Sequence, residues 1–360
     1  MRKTTRNVLL AAILAIGLSA PSNAVGSAFQ SLPDLSGGEG WLNSPPLTRE
    51  GLLGKVVLVD FWEYTCINCL HTLPYLAEWY RRYKDDGFVI IGVHTPEFTF
   101  SANPANIAVA TKRLGVSWPV LLDPNRTLWS RFDNQVWPHE FLYDQSGNLI
   151  ENAEGEGNYQ ETERKIQAAI KSRDPQFHPP PLMALLPQDN YTKPGSVCYP
   201  HTPEVQAGIM RGAGPANLAR YMNPSVENNF ADPGSHQDGV IYLHGFWRTT
   251  DQAVISAGND SAAALKYHAI QVVAVMRPEE GYLTRVRVTQ DGAPVPHQDA
   301  GADIRYGADG FSYVDVEQPR AYDLIMNKHF GQHELSLAPA RYGLGLYSFD
   351  FESCEVGSDR

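Results

Sequence analysis

The sequence predicts two domains of different class: an α/β domain built on a mixed sheet, then an all-β domain of sandwich or jelly-roll type. Three observations carry this. Continuous apolar strand runs alternate with helix-spaced segments between residues 55 and 172. A stretch with five prolines, RDPQFHPPPLMALLPQ (173–188), then breaks the text. Beyond residue 195, roughly eight short alternating runs are separated by Gly, Pro, Asp and Asn. The length of 360 residues suits two domains of roughly 150 residues each, and 43% hydrophobic against 19% charged residues excludes a disordered chain.

Residues 1–24 read as a secretory signal peptide. MRKTTRN is basic, VLLAAILAIGL (8–18) is an apolar run of 11, and Ser22 and Ala24 supply the small residues of a cut site. The competing reading is an uncleaved anchor, but this run is shorter than the roughly 20 residues that span a bilayer. The chain is therefore expected in the periplasm or outside the cell. Cleavage removes Arg2, Lys3 and Arg6 and takes the net charge from −11 to −14. That acidity excludes nucleic acid and anionic membrane as partners, since both call for a basic surface.

Residues 25–39, rich in Gly, Ser and Pro, are expected as a linker, and residues 40–174 as the α/β domain. KVVLVDFW (55–62) and FVIIGVH (88–94) read as buried parallel strands. Leu70, Leu73, Leu76, Ala77 and Tyr80 recur at helical spacing after the first. NPANIAVATKRLGV (103–116) reads as a helix with Asn103 as N-cap and Pro104 at its first position. A short strand (119–123), a short helix (125–132), a hairpin turning at Ser146-Gly147-Asn148 and an amphipathic helix (159–172) complete the domain. Residues 175–194 are expected as an extended proline-rich linker, and residues 195–356 as the β domain.

The chemistry lies in FWEYTCINCLHTLPYL (61–76), which holds Cys66 and Cys69. Haem attachment requires His directly after the second Cys, where Leu70 stands. Zinc would need two further ligands; His71 with a distant residue, or a plain structural disulfide, remain as alternatives. The redox reading has more behind it. The motif follows a buried strand and opens a helix, so first-turn N–H groups point at the Cys66 sulfur and favour its thiolate. Cys66 is then the attacking thiol and Cys69 the resolving one. Asp60, on the strand that feeds the motif, is the candidate to take the Cys69 proton, its pKa raised by burial; a residue turned to water is the alternative. No metal and no cofactor beyond the Cys66–Cys69 pair is expected.

VVLVDFWEYTCINC resembles the thioredoxin superfamily, in which a buried Asp precedes the C-x-x-C at this interval. Pro74 matches the proline of the family's active-site helix, and Pro138 in VWPHEFLYD (136–144) matches its cis-proline. The resemblance implies that Pro138 lies beside the disulfide, and that Trp137 and Trp62 face the substrate. WLNSPPLTREGLLGKVVLVDFWEYTCINCLHTLPYL and VIIGVHTPEF narrow the match to the TlpA-like branch, and within it to the C-terminal part of DipZ-type proteins. That resemblance implies a thioredoxin fold with a helical insertion at 103–116. It also implies a jelly-roll domain akin to carbohydrate-binding modules and a tuning role for Glu97. The electron donor is then a separate membrane thiol protein of the CcdA or DsbD kind.

The expected function is a thiol–disulfide oxidoreductase outside the cytoplasm that reduces protein disulfides. Ile67-Asn68 brings no positive charge and Asp60 adds an acid, both of which argue against a strong oxidant. A peroxiredoxin-like peroxidase is the first alternative, but such enzymes carry Thr three residues before the reactive Cys, where Glu63 stands here. A glycan-binding module with a vestigial redox domain is the second. Tyr242, Phe246, Trp247, Tyr267, Tyr313, Tyr322, Tyr342 and Tyr347 give the β domain the rings that a sugar site uses, although such rings are also ordinary core. Cys198 and Cys354 are expected to form a structural disulfide across 156 residues; a second redox pair is the rival.

Overall fold

The computed structural model describes residues 31–357 apart from 220, 221, 224 and 225, so the predicted signal peptide lies outside the described residues. Among the described residues, no helix is long and apolar enough to cross a membrane.

In the first domain β2 (Val56–Trp62) and β3 (Phe88–His94) pair in parallel, and β4 (Val120–Leu122) extends the parallel set. The strands β1 (Gly40–Leu42), β5 (His139–Tyr143) and β6 (Leu149–Glu154) run antiparallel, giving the order β1-β4-β3-β2-β5-β6. The helices are α1 (Arg49–Leu52), α2 (Ile67–Tyr83), α3 (Pro104–Arg113), α4 (Thr127–Arg131) and α5 (Tyr159–Arg173). The strand period of two divides β2 between two cores. Val56, Leu58 and Trp62 join Leu73, Leu76 and Trp79 of α2 and Ile166 and Ile170 of α5. Val57, Val59 and Phe61 join Leu128, Phe132 and Phe141. Asp60 is thereby committed to the α2 side. The helix predicted at 103–116 forms as α3, with the Asn103 side chain accepting from Ala105 N at 2.9 Å and Pro104 at its first position.

Neither expected linker is a free tether. Leu32 and Leu35 are buried and Ser31 bridges Asn148, which pins residues 31–39 to the β5–β6 hairpin side. The proline-rich segment is extended but held along α2 and α5. Glu163 accepts from Met183 N at 2.6 Å, Arg82 donates to the Pro181 carbonyl at 2.8 Å, Gln167 to the Pro180 carbonyl at 2.9 Å, and Tyr75 to Asp189 at 2.6 Å. Prolines cannot supply ladder N–H groups, so their carbonyls are satisfied by outside donors, here long side chains of the two helices.

The second domain is all β. Its strands are β7 (Val197–Cys198), β8 (Val205–Gln206), β9 (Glu227–Phe230), β10 (Ile241–Thr249), β11 (Val254–Ser256), β12 (Ala262–Arg277), β13 (Thr284–Gln290), β14 (Ala293–Pro294), β15 (Arg305–Tyr306), β16 (Ser312–Val316), β17 (Arg320–Pro339), β18 (Gly345–Glu352) and β19 (Cys354–Glu355). They are not uniformly short: β12 has 16 residues and β17 has 20, and register shifts near Ala269–Val273 bend the pair. The first half of β12 pairs with β10 and its second half with β18, while β11 links β10 to β18. The sheet thus closes on itself around one core. Tyr242, Trp247, Tyr267, Tyr322 and Tyr347 are buried, whereas Phe246 and Tyr342 are exposed. Most of the aromatic signal in the sequence is therefore packing.

Cys198 and Cys354 are direct partners in the β7–β19 ladder and are bonded to each other. Replacing both with Ser is expected to lower stability by about 2–5 kcal/mol, because the bond restricts the unfolded chain across a long loop. Urea melts of oxidised protein check this; a loss well under 1 kcal/mol would mean that the strands hold without the bond.

The two domains share a core. Ala253, Val273, Val275, Ala321 and Tyr347 belong to the same apolar cluster as α2 and Trp62. Tyr347 packs edge-on against Phe98 and Phe100, with ring centroids at 5.1 and 4.7 Å. Gln252 accepts from both the backbone and the hydroxyl of Thr99. The β domain is thus docked on the segment that follows β3, next to the C-x-x-C end of the sheet.

Candidate active site

Cys66 is the N-cap of α2, and its sulfur accepts the Cys69 N–H at 3.3 Å. Cys66 is half-buried and Cys69 fully buried, and both are free thiols. The expectation of a lowered Cys66 pKa is corrected by the structure. Burial pushes the Cys66 thiol up; the Cys69 thiol and then its N–H only partly offset this, and the charges of Glu63 and Glu97 add to the rise. Cys69 is pushed further, by burial first and then by Cys66 and the Asp60 charge. The helix terminus acts as predicted, but the cover over the site outweighs it.

Asp60 is buried with neither carboxyl oxygen hydrogen-bonded, and burial pushes its pKa up to about 7. Opposite it on β5 stands Glu140, also buried and pushed well up by burial and by the Asp60 charge. The sequence reading passed over Glu140, although a Glu opening the apolar run EFLY was a signal.

The Trp137–Pro138 peptide is cis. The register Phe61 to His139 puts Trp137 and Pro138 at the end of the sheet from which the Cys66 loop leaves β2. Thr95, Pro96 and Glu97 leave β3 at the same end. Arg126 ties the two loops together: its guanidinium lies 5.0 Å from the Trp137 ring and Nη2 donates to the Pro96 carbonyl at 3.1 Å. Trp137 is half-buried and remains available at this edge.

Trp62 does not face substrate. It is 1% exposed, edge-on to His94 at 5.3 Å, and its indole fills the space left by Gly92, where an added Cβ would lie 2.9 Å from Nε1. A fully buried strand gives no in–out alternation in sequence, so the direction of Trp62 was decided by α2 packing on that face.

Glu97 lies at the domain seam. Its carboxylate receives Arg211 Nη2 at 2.7 Å and Gln206 Nε2 at 3.2 Å, and Arg211 also donates to its backbone carbonyl. The Arg211 guanidinium stacks 4.8 Å from the Phe98 ring. Burial first, then the charges of Glu204 and Glu63, push Glu97 up to about 8. The β domain therefore supplies partners to an acid whose charge Cys66 feels. No local pattern marks Arg211 or Gln206, since both meet Glu97 only through docking. His71 turns away from a metal role with the cysteines and pairs with Glu156 at 3.1 Å and, across the seam, with Glu352 at 3.5 Å.

Such a site can exchange disulfides: one partly buried sulfur at a helix N-cap, one fully buried sulfur a turn behind it, and a carboxyl that burial pushes up to about 7. Two family models match the chain, one described as thioredoxin-like over residues 54–149 and one described as thioredoxin like C-terminal domain over residues 202–351. Protein DipZ of Mycobacterium bovis is 32% identical over 329 residues, covering 89% of this chain and 42% of DipZ. The chain thus spans less than half the length of that relative. Thiol-disulfide oxidoreductase YkuV of Bacillus subtilis is 27% identical over 142 residues, which cover 39% of this chain and 95% of YkuV. Thiol-disulfide oxidoreductase ResA of Bacillus subtilis is 29% identical over 154 residues, covering 41% of this chain and 82% of ResA. The chain belongs to the thioredoxin superfamily, and its pairing of a thioredoxin-like domain with this β domain makes it DipZ-like.

Proposed function

We propose that the chain reduces protein disulfides outside the cytoplasm through Cys66 and Cys69. The Cys66 thiolate attacks one sulfur of a substrate disulfide; the S–S bond breaks, its second sulfur leaves as a thiol, and a mixed disulfide forms. Asp60 takes the Cys69 proton, and the Cys69 thiolate attacks the Cys66 sulfur. The substrate departs with its second thiol, leaving the Cys66–Cys69 disulfide. Trp137 and Pro138 form the edge along which the substrate chain lies. A separate membrane dithiol protein of the CcdA or DsbD kind returns the two electrons.

The observation that carries the reading is the asymmetry of the two sulfurs: Cys66 partly buried at a helix N-cap, Cys69 fully buried and raised in part by the Asp60 charge. The reducing direction is supported by what surrounds them. Strong oxidants owe their potential to a stabilised thiolate in the reduced form, whereas here burial, Glu63 and Glu97 all oppose the Cys66 thiolate. The location is supported by the leader-like first 24 residues and by the Cys198–Cys354 bond, a feature of oxidising compartments. Redox titration of the Cys66–Cys69 pair against thiol–disulfide buffers tests the direction. A midpoint near the thioredoxin value of about −270 mV is expected, and one near about −120 mV, that of a strong oxidant, would reverse the reading.

A further inference from the structure

The loop between β2 and α2 hangs on one buried acid that the exchange reaction does not use. Glu63 is fully buried, yet one of its oxygens, Oε2, accepts from the Thr65 backbone N–H at 2.6 Å and from the Thr65 hydroxyl. Its backbone carbonyl accepts from Cys66 N at 3.3 Å. The other carboxyl oxygen, Oε1, has no hydrogen-bond partner. His94 Nε2 lies 3.8 Å from Oε1, beyond hydrogen-bond distance, and is equally buried. Burying a carboxyl costs several kcal/mol unless it is fully paired, and an apolar residue would fill the space. What Glu63 does in return is local. Side chain and main chain together fix Thr65 and Cys66.

We propose that Glu63 is a positioning residue for thiol–disulfide exchange: its carboxyl pins the loop that presents Cys66 and, once ionised, sets a negative charge against the Cys66 thiolate. This rests on the exchange reading above. The groups that face the site are few. From β3, His94 stays neutral because burial pushes it down to about 3. From the segment after β3 come Ser101, whose hydroxyl donates to the Phe98 carbonyl, and Glu97, whose charge acts on Cys66 in the same sense. From α2 comes Cys69, and beside Glu63 stands Tyr64, stacked on His94 at 5.4 Å. Burial raises Glu63 itself, while the Thr65 bonds favour its ionised form.

The test is the pH dependence of Cys66 alkylation by iodoacetamide in the full reduced chain, mapped by mass. Glu63→Gln keeps size and an acceptor for Thr65 but removes the charge. Its Cys66 midpoint is expected to fall by about one pH unit, which is about tenfold more thiolate below both midpoints. In the same protein, at a pH above both midpoints, the equilibrium with glutathione should shift towards the dithiol. Thr65→Val leaves the carboxyl in place but removes the hydroxyl bond that favours its ionised form, so the midpoint should fall in the same sense by less. An unchanged or higher midpoint in folded Glu63→Gln overturns the proposal. If that variant does not fold, Thr65→Val decides by the same criterion. A wild-type pair that forms no disulfide in redox buffer would instead sink the exchange reading, while the midpoint shift still reports on Glu63.

Discussion

Cys66→Ser is expected to lower turnover of a protein disulfide by at least about a thousandfold, the scale of losing an essential nucleophile. Cys69→Ser should fail differently. Its Cys66 is still the less buried of the two, at the α2 N-cap, so the first half-reaction proceeds and the chain accumulates as a mixed disulfide with substrate. The buried position of Cys69 is the reason, since no substrate sulfur reaches it and it acts only on the Cys66 sulfur. Non-reducing gels of each variant incubated with a disulfide-bonded protein distinguish the two. Covalent complexes with Cys66→Ser but not with Cys69→Ser would exchange the roles assigned here.

Asp60→Asn should be more stable than wild type and slower, and both effects should depend on pH. The carboxyl's ordinary pKa of 3.8 is pushed to about 7 in the folded chain. Between those values the folded state holds a proton that the unfolded state has released, so stability falls as pH rises and the loss is complete above pH 7. At about 1.36 kcal/mol per unit, the penalty is at most about 4 kcal/mol. Asp60→Asn removes it, giving a gain of that order at pH 8 and almost none at pH 4. Catalysis moves the other way. The base that accepts the Cys69 proton is gone, and release of the second substrate thiol should slow by about 100-fold at pH 8. The rise in wild-type rate through pH 7 should flatten in the variant. Glu140 faces Asp60 across the strands, and its carboxyl is pushed well above the ordinary range by burial first and then by the Asp60 charge. Urea melts at pH 4 and pH 8 with single-turnover thiol release measure both effects; equal stability of the two proteins at pH 8 would show that Asp60 is hydrated and not a buried acid.

The sequence by itself determined whatever short-range chemistry encodes. β2 and β3 were legible because Val and Ile runs of that length suit a buried parallel strand. α3 was legible from its Asn-Pro start, and the redox motif from a C-x-x-C placed between a strand and a helix. Tertiary packing alone decided the rest. Trp62 turned inward because α2 covers that face of β2, and a strand buried on both sides carries no alternation to announce it. The prolines of the second linker are held by side chains of α2 and α5 that lie up to 99 residues away in the chain. Arg211 meets Glu97 across 114 residues, so its effect on the site exists only once the β domain is docked. The Cys66 thiol shows the division most plainly. Its place at a helix start, which favours the thiolate, is written locally. The burial that outweighs it comes from the packed surroundings, because desolvation depends on everything that excludes water from a group and not on its neighbours in sequence.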